Sequence, residues 1–164
     1  MTIKQQAERP LIAVVIPCYK VIGAIEGVVY SIGPEVGLIY IVDDACPEQT
    51  GRYIQNHCSD QRIRVLFHTR NQGVGGAVIT GYRAAVKDGA DIIVKIDGDG
   101  QMDATLIPYF VEPILCGEAD YTKGNRFYEV SSALKMPLLR MLGNAGLSFL
   151  TKLSSGYWNL FDPT

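Results

Sequence analysis

The chain has 164 residues, 48% of them hydrophobic and 20% charged, with a formal net charge of −2. That length suits one domain with a real core, and that composition excludes a disordered chain. The acidic balance argues against a nucleic-acid partner, since proteins that meet many phosphates usually carry a basic excess.

The first ten residues, MTIKQQAERP, are polar and lack the apolar core of a signal peptide. They read as an N-terminal tail, 1–10, ahead of a single domain over 11–164. No apolar run approaches the roughly 18 residues of a membrane span. LIAVVIP (11–17) is a short continuous apolar run ended by proline, as expected of a strand buried on both faces. Ile22, Ile25, Val29 and Ile32 then fall at helical spacing, and Gly33-Pro34 stops the helix. GLIYIVDD (37–44) predicts a second buried strand that runs into two aspartates. QTGRYIQNHC (49–58) predicts a weaker helix, and RIRVLFH (62–68) a third strand.

In GVGGAVITGYRAAVKDG (73–89), Val74, Ala77, Val78, Gly81, Tyr82 and Ala85 share one helical face, whose small residues permit close approach to a sheet. DIIVKI (91–96) predicts the fourth strand. MDATLIPYFVEPILCG (102–117) reads as a helix interrupted by Pro108 and Pro113. A further strand and turn are expected over 119–127, and a helix with a broad apolar face over 134–154.

Strands alternating with helices imply an α/β fold with a mostly parallel sheet. Ligands of such sheets bind outside the carboxyl ends of the strands. There the chain places Pro17-Cys18-Tyr19, Asp43-Asp44, Arg70-Asn71 and Asp97-Gly98-Asp99. Cys18, Cys46, Cys58 and Cys116 form no C-x-x-C pair and, without an export signal, read as reduced thiols of a cytosolic chain. His57 and His68 each stand alone, so structural roles are expected, and a zinc site or a Ser–His–Asp triad lacks material.

Asp97, Asp99 and Gln101 alternate along the chain, and Gly98 and Gly100 permit a turn that gathers their oxygens. Hard oxygens of this kind suit Mg²⁺ or Mn²⁺, which an acidic protein needs in order to hold a diphosphate. The plainer reading is a capped turn in which Asp103 starts the next helix. An EF-hand loop from Asp97 would need Gly and Glu where Met102 and Pro108 stand. PCYKVIG, after the first strand, has no glycine fingerprint, which disfavours a dinucleotide-dependent oxidoreductase, and there is no Walker lysine motif.

VVIPCYK, IYIVDDACPEQTG, NQGVGGAVITGY, VKIDGDGQMD, KGNRF and FDPT, in that order, resemble the family-two glycosyltransferases of the dolichyl-phosphate mannosyltransferase-like group. The resemblance implies a GT-A fold. It also implies inverting transfer of a hexose from a GDP- or UDP-sugar to a polyprenyl or dolichyl phosphate, or to a saccharide acceptor. It places Pro17 and Tyr19 around the nucleobase, and Asp44 on the base or ribose with Val42 beside it. Asp97, Gly98, Asp99 and Gln101 take the metal and diphosphate, and Arg126 lies near the donor. Asp97, Asp99 and Arg126 are then the catalytic candidates, and Asp97, Asp99 and Gln101 the metal ligands.

Each match has a plainer alternative. Pro17 suits a strand end and Tyr19 a cap on the core. Asp43 or Asp44 suits an Asx turn, and Arg126 a solvated surface. The family often has Y-N-E after the first strand, whereas Lys20 and Val21 follow Tyr19 here, so the base is open. The chain stops at Thr164, within what resembles the family's D-x-T-x-G segment. This leads us to expect a domain complete in its nucleotide-sugar half and incomplete in its acceptor half, with weak nucleotide binding and little transfer. A nucleotide-sugar-binding module without turnover is the competing class. The apolar segment 134–158 is expected to be covered by further chain, to self-associate, or to meet the cytoplasmic face of a membrane.

Overall fold

The computed structural model describes residues 9–124. The chain divides after Glu118, and the first unit holds all the regular structure described below. Four strands, β1 (Ile12–Cys18), β2 (Val36–Asp43), β3 (Ile63–Phe67) and β4 (Ile92–Lys95), form one sheet in the order β3-β2-β1-β4. All three pairings are parallel. The helices are α1 (Ile25–Ser31), α2 (Thr50–His57), α3 (Gly73–Lys87) and α4 (Ile107–Leu115), with a single 3-10 turn over Ala104–Leu106.

Both faces of the sheet are covered, which explains why β1 and β2 read as continuous apolar runs. On one face Val14, Ile16 and Cys18 of β1 and Ile39 and Ile41 of β2 pack with Ile25 and Val29 of α1, Ile54 of α2 and Val111 of α4. On the other, Ala13, Val15, Tyr40 and Val42 pack with Ala77 and Ala85 of α3. α3 lies close because position 81 is glycine. A Cβ there would press into Val15 and come within 3.2 Å of Val42. The buried line is therefore Ala77–Gly81–Ala85, while Val74 (62%) and Tyr82 (38%) are exposed. The predicted face was too wide, because a helix pressed flat on a sheet buries its smallest residues and turns larger ones to the flank.

β1 continues through Pro17 to Cys18 rather than ending at the proline. The Val15 carbonyl accepts from Ile96 on the β4 side, and the Cys18 carbonyl accepts from Asp44 on the β2 side. Alternation puts Pro17 on the side of Val15, so its missing N–H faces β4 beyond the last paired residue, Lys95. The proline thus leaves no ladder bond unmade.

α1 begins later than predicted, with turns over 22–24. Arg62 closes its far end, donating to the carbonyls of Ile32 (3.2 Å), Gly33 (2.6 Å) and Val36 (3.1 Å). Asp60 holds that guanidinium at 2.7 Å, and the hydrogen bond keeps the Asp60 carboxyl below its usual range. The predicted 102–117 helix splits into the 3-10 turn and α4. Pro108 sits in the first turn of α4, where no N–H is required, and Pro113 lies inside the helix. Residues 119–124 carry no strand. The rest of the predicted 119–127 element, the 134–154 helix and Arg126 lie outside the described residues. Among those described, no helix is long and apolar enough to cross a membrane.

Candidate functional site

The strand order reverses at β1, with β2 and β3 following on one side and β4 returning on the other. Parallel sheets open a crevice at such a switch point, beyond the carboxyl ends of the strands. The chain brings to this edge the residues leaving β1 (Tyr19, Lys20), β2 (Asp43, Asp44), β3 (His68, Arg70, Asn71) and β4 (Asp97 to Gln101). The topology therefore gathers the segments that the sequence marks.

The two aspartates after β2 divide their work. Asp43 is 3% exposed and turned inward. Its Oδ1 accepts from Cys46 N and its Oδ2 from Gly51 N, both at 2.7 Å. It thereby folds the loop onto the start of α2. Asp44 is 2% exposed. Its Oδ1 accepts from Gln72 N (2.8 Å) and meets His68 Nδ1 at 2.6 Å, while its main-chain oxygen accepts from Asn71 Nδ2 (3.2 Å). Among the described residues nothing donates to Asp44 Oδ2. A buried carboxylate oxygen without a donor is costly and calls for an explanation. Val42 is fully buried under α3, so its side chain lies in the core rather than beside Asp44 at the edge.

The acidic segment after β4 is a turn over Gly98 and Asp99. Gly98 is needed for room. A Cβ there would come within 3.1 Å of Val21, 3.3 Å of Ile25 and 3.4 Å of Cys18 Sγ. Gly100 is needed for its φ of 76°, in the left-handed region. Asp97 Oδ1 pairs with Lys95 Nζ at 2.6 Å, and Asp99 Oδ1 accepts from Gln101 N at 3.0 Å. Asp103 caps the 3-10 turn, accepting from Thr105 N (2.9 Å) and Thr105 Oγ1 (2.6 Å), and those bonds hold its carboxyl below the usual range. Of the three aspartates, only Asp103 is spent as a cap. Among the described residues no cluster of three or more His, Cys, Asp or Glu side chains gathers, so a cation here would rest on Asp97 and Asp99 with oxygens from elsewhere. Lys95 was not singled out in the sequence, although a lysine inside an apolar strand run is itself a signal.

Pro17 is partly buried within β1, and Tyr19 is 45% exposed with the Lys20 ammonium 5.5 Å from its ring centroid. Lys20 N donates to Cys46 Sγ at 3.1 Å, tying the loop after β1 to the loop after β2. Burial pushes the Cys46 thiol up, but hydrogen bonds from the Thr50 hydroxyl and from the main chain of Lys20, Thr50 and Glu48 outweigh it and hold it below its ordinary value. Lys20, Ala45 and Gln49 have φ of 58°, 52° and 53°. Left-handed conformations at residues other than glycine store strain, and here they flank the crevice.

These features define a polar crevice at the switch point of a parallel α/β sheet. The description "Glycosyl transferase family 2" matches residues 13–164, and the chain belongs to that family. The α/β arrangement expected of its GT-A fold is the one formed. The chain is 33% identical to a UDP-N-acetylglucosamine–dolichyl-phosphate N-acetylglucosaminyltransferase of Methanococcus voltae, over 90% of this chain and 64% of that protein. It is 30% identical to an undecaprenyl-phosphate mannosyltransferase of Micrococcus luteus, over 73% and 52%. It is 26% identical to a dolichol-phosphate mannosyltransferase of Pyrococcus furiosus, over 87% and 41%. The chain thus spans about two fifths to two thirds of the length of these relatives.

Proposed function

We propose that the chain carries the donor-binding part of a metal-assisted, inverting hexosyltransferase that moves a sugar from a nucleoside diphosphate to a polyprenyl phosphate. One observation carries this reading. The relatives' names differ in the sugar but agree that the acceptor is a polyprenyl-type phosphate. The crevice suits the donor: Asp44 Oδ2, which has no donor among the described residues, would accept from the base or ribose, beside the exposed Tyr19.

Asp97, Asp99 and Gln101 offer hard oxygens that fit Mg²⁺ or Mn²⁺, with the diphosphate completing the set. When bound, the cation neutralises the charge that builds on the departing diphosphate. The protein's own residues orient. Asp44 holds the nucleoside end, the turn around Gly98 brings main chain close to the diphosphate, and Arg126 adds a positive charge by resemblance to the family. An acceptor phosphate oxygen forms the new bond to the anomeric carbon, on the face opposite the diphosphate. The bond from that carbon to the diphosphate breaks, and its electron pair leaves with the nucleotide. An acceptor that is already anionic has no proton to lose, so no general base is required of the crevice. A lipid acceptor and a nucleotide-sugar donor together would put the reaction at the cytoplasmic face of a membrane.

Transfer from radiolabelled UDP-N-acetylglucosamine or GDP-mannose to a polyprenyl phosphate tests the activity, with a saccharide acceptor in parallel. Binding is tested apart from turnover by thermal shift. UDP or GDP is expected to raise the melting temperature only with Mn²⁺ present. Asp99→Asn is expected to lose that increment while the ligand-free melting temperature stays nearly unchanged, since the only described bond of Asp99 is local. A shift that ignores both Mn²⁺ and the substitution would overturn the metal assignment.

A further inference from the structure

We propose that His68 is the positioning residue of the nucleoside end, holding one oxygen of Asp44 so that the other, which has no donor among the described residues, is the acceptor. This rests on the reading of Asp44 as the nucleoside's partner. His68 follows the last residue of β3, and its N–H donates to the Asp43 carbonyl at 2.9 Å. Its side chain is 5% exposed and that of Asp44 3%. The imidazole is bonded at both nitrogens, with Nδ1 at 2.6 Å from Asp44 Oδ1 and Nε2 at 2.9 Å from Thr80 Oγ1 of α3. A buried histidine with both nitrogens engaged has one orientation and passes it to its partner.

The proton accounting constrains the pair. The Thr80 hydroxyl has a single hydrogen and lies 3.0 Å from the Gly76 carbonyl, as well as 2.9 Å from His68. If that hydrogen goes to Gly76, Nε2 donates, and bonding Asp44 as a carboxylate then takes a second hydrogen, on Nδ1. If it goes to His68, Nε2 accepts and the ring hydrogen sits on Nδ1. In either case Nδ1–H points at Asp44. The remaining arrangement, a protonated Asp44 donating to Nδ1, would put the acid hydrogen on the oxygen that also accepts from Gln72 N at 2.8 Å. A carboxylate oxygen receiving two N–H donors is the better-satisfied state.

Asp44 Oδ1 thus receives bonds from β3 and from the loop before α3, and Oδ2 is the carboxylate oxygen without a donor among the described residues. A ligand at this point must present an N–H or O–H. Without the imidazole the carboxylate would be free to rotate and share both oxygens with Gln72 N, and the acceptor would no longer be aimed.

Two substitutions separate positioning from packing. Asn carries its amide nitrogen on Cγ, as His carries Nδ1, so His68→Asn keeps a donor towards Asp44. Gln carries its amide one bond further out, as His carries Nε2, so His68→Gln keeps the reach to Thr80 but loses the donor to Asp44. Dissociation constants for UDP and GDP with Mn²⁺ are measured by calorimetry for the wild type, both variants and Asp44→Ala, beside the ligand-free melting temperatures. The expected result is a loss of roughly tenfold in affinity for His68→Gln, with much of that loss restored in His68→Asn. A downfield Nδ1–H proton resonance, present in the wild type and absent in Asp44→Ala, is expected from the same pair. Equal affinity in the two variants, with only the melting temperature lowered, would reduce His68 to a packing residue and overturn the proposal. Wild-type affinity in Asp44→Ala would instead overturn the reading of Asp44 on which the proposal stands.

Discussion

At the scale of single residues, the adjacent aspartates after β2 show how one dipeptide serves folding and binding separately. Asp43 spends both oxygens on main-chain donors eight residues apart or less, and neither remains for a ligand. Asp43→Ala would leave two buried N–H groups without acceptors and is expected to cost about 3 kcal/mol of stability. Denaturant titration checks this, and an unchanged midpoint would contradict it. The pairing of two acids at a strand end was legible in the sequence. The division between them was not, because it depends on partners that periodicity does not reveal. His68 is 24 positions from Asp44, and Arg62 is 29 from the Gly33 carbonyl it closes. Alternation and helical spacing speak only of faces: they allow His68 a structural role without naming its partner, and they give Arg62 no role at all.

Among the elements, α3 shows the opposite case, where the chain itself announces close packing through its glycines and alanines. Gly75 and Gly81 share that helix but differ in surroundings. Position 81 abuts Val15 and Val42, while a Cβ at 75 would meet nothing within 4 Å. Gly81→Ala is expected to destabilise by about 1–3 kcal/mol through overpacking, despite alanine's better helix propensity. Gly75→Ala is expected to raise stability by up to about 1 kcal/mol. Thermal melts of the two variants check the contrast, and the same sign for both would break the packing account. The strands were readable because burial on two faces leaves uninterrupted apolar runs. The α3 face was misjudged because hydrophobicity ranks Val74 and Tyr82 above Gly81, whereas proximity to the sheet selects for size.

For the molecule as a whole, one buried phenol sets a limit on alkaline stability. Tyr40 of β2 lies beneath α3 and donates to Asp88 Oδ2 at 2.6 Å, just past the end of that helix. Burial first, and the Asp88 hydrogen bond second, push its pKa up from 10.0 to about 12. The folded state therefore holds the proton more tightly than the unfolded chain. Its contribution is complete below pH 10 and is lost as pH rises towards about 12. Tyr40→Phe is expected to cost about 1 kcal/mol at neutral pH and to flatten the decline of stability across that window. Equal slopes for the two proteins above pH 10 would refute the assignment.

The proline in β1 has a further consequence for how the crevice is measured out. Cys18 is level with Asp43, and Val15 with Lys95, so counting along β1 puts Asp44 level with Tyr19 and Asp97 level with Pro17. Their main-chain positions stand astride one strand, two strand spacings across and two residues apart along it, roughly 12 Å. β1 is in that sense a ruler with both marks cut into its main chain, and the pairing with β4 ends short of Pro17. A slip of one residue between β1 and β4 would turn Asp97 to the opposite face and leave the two ends of a donor without a common scale.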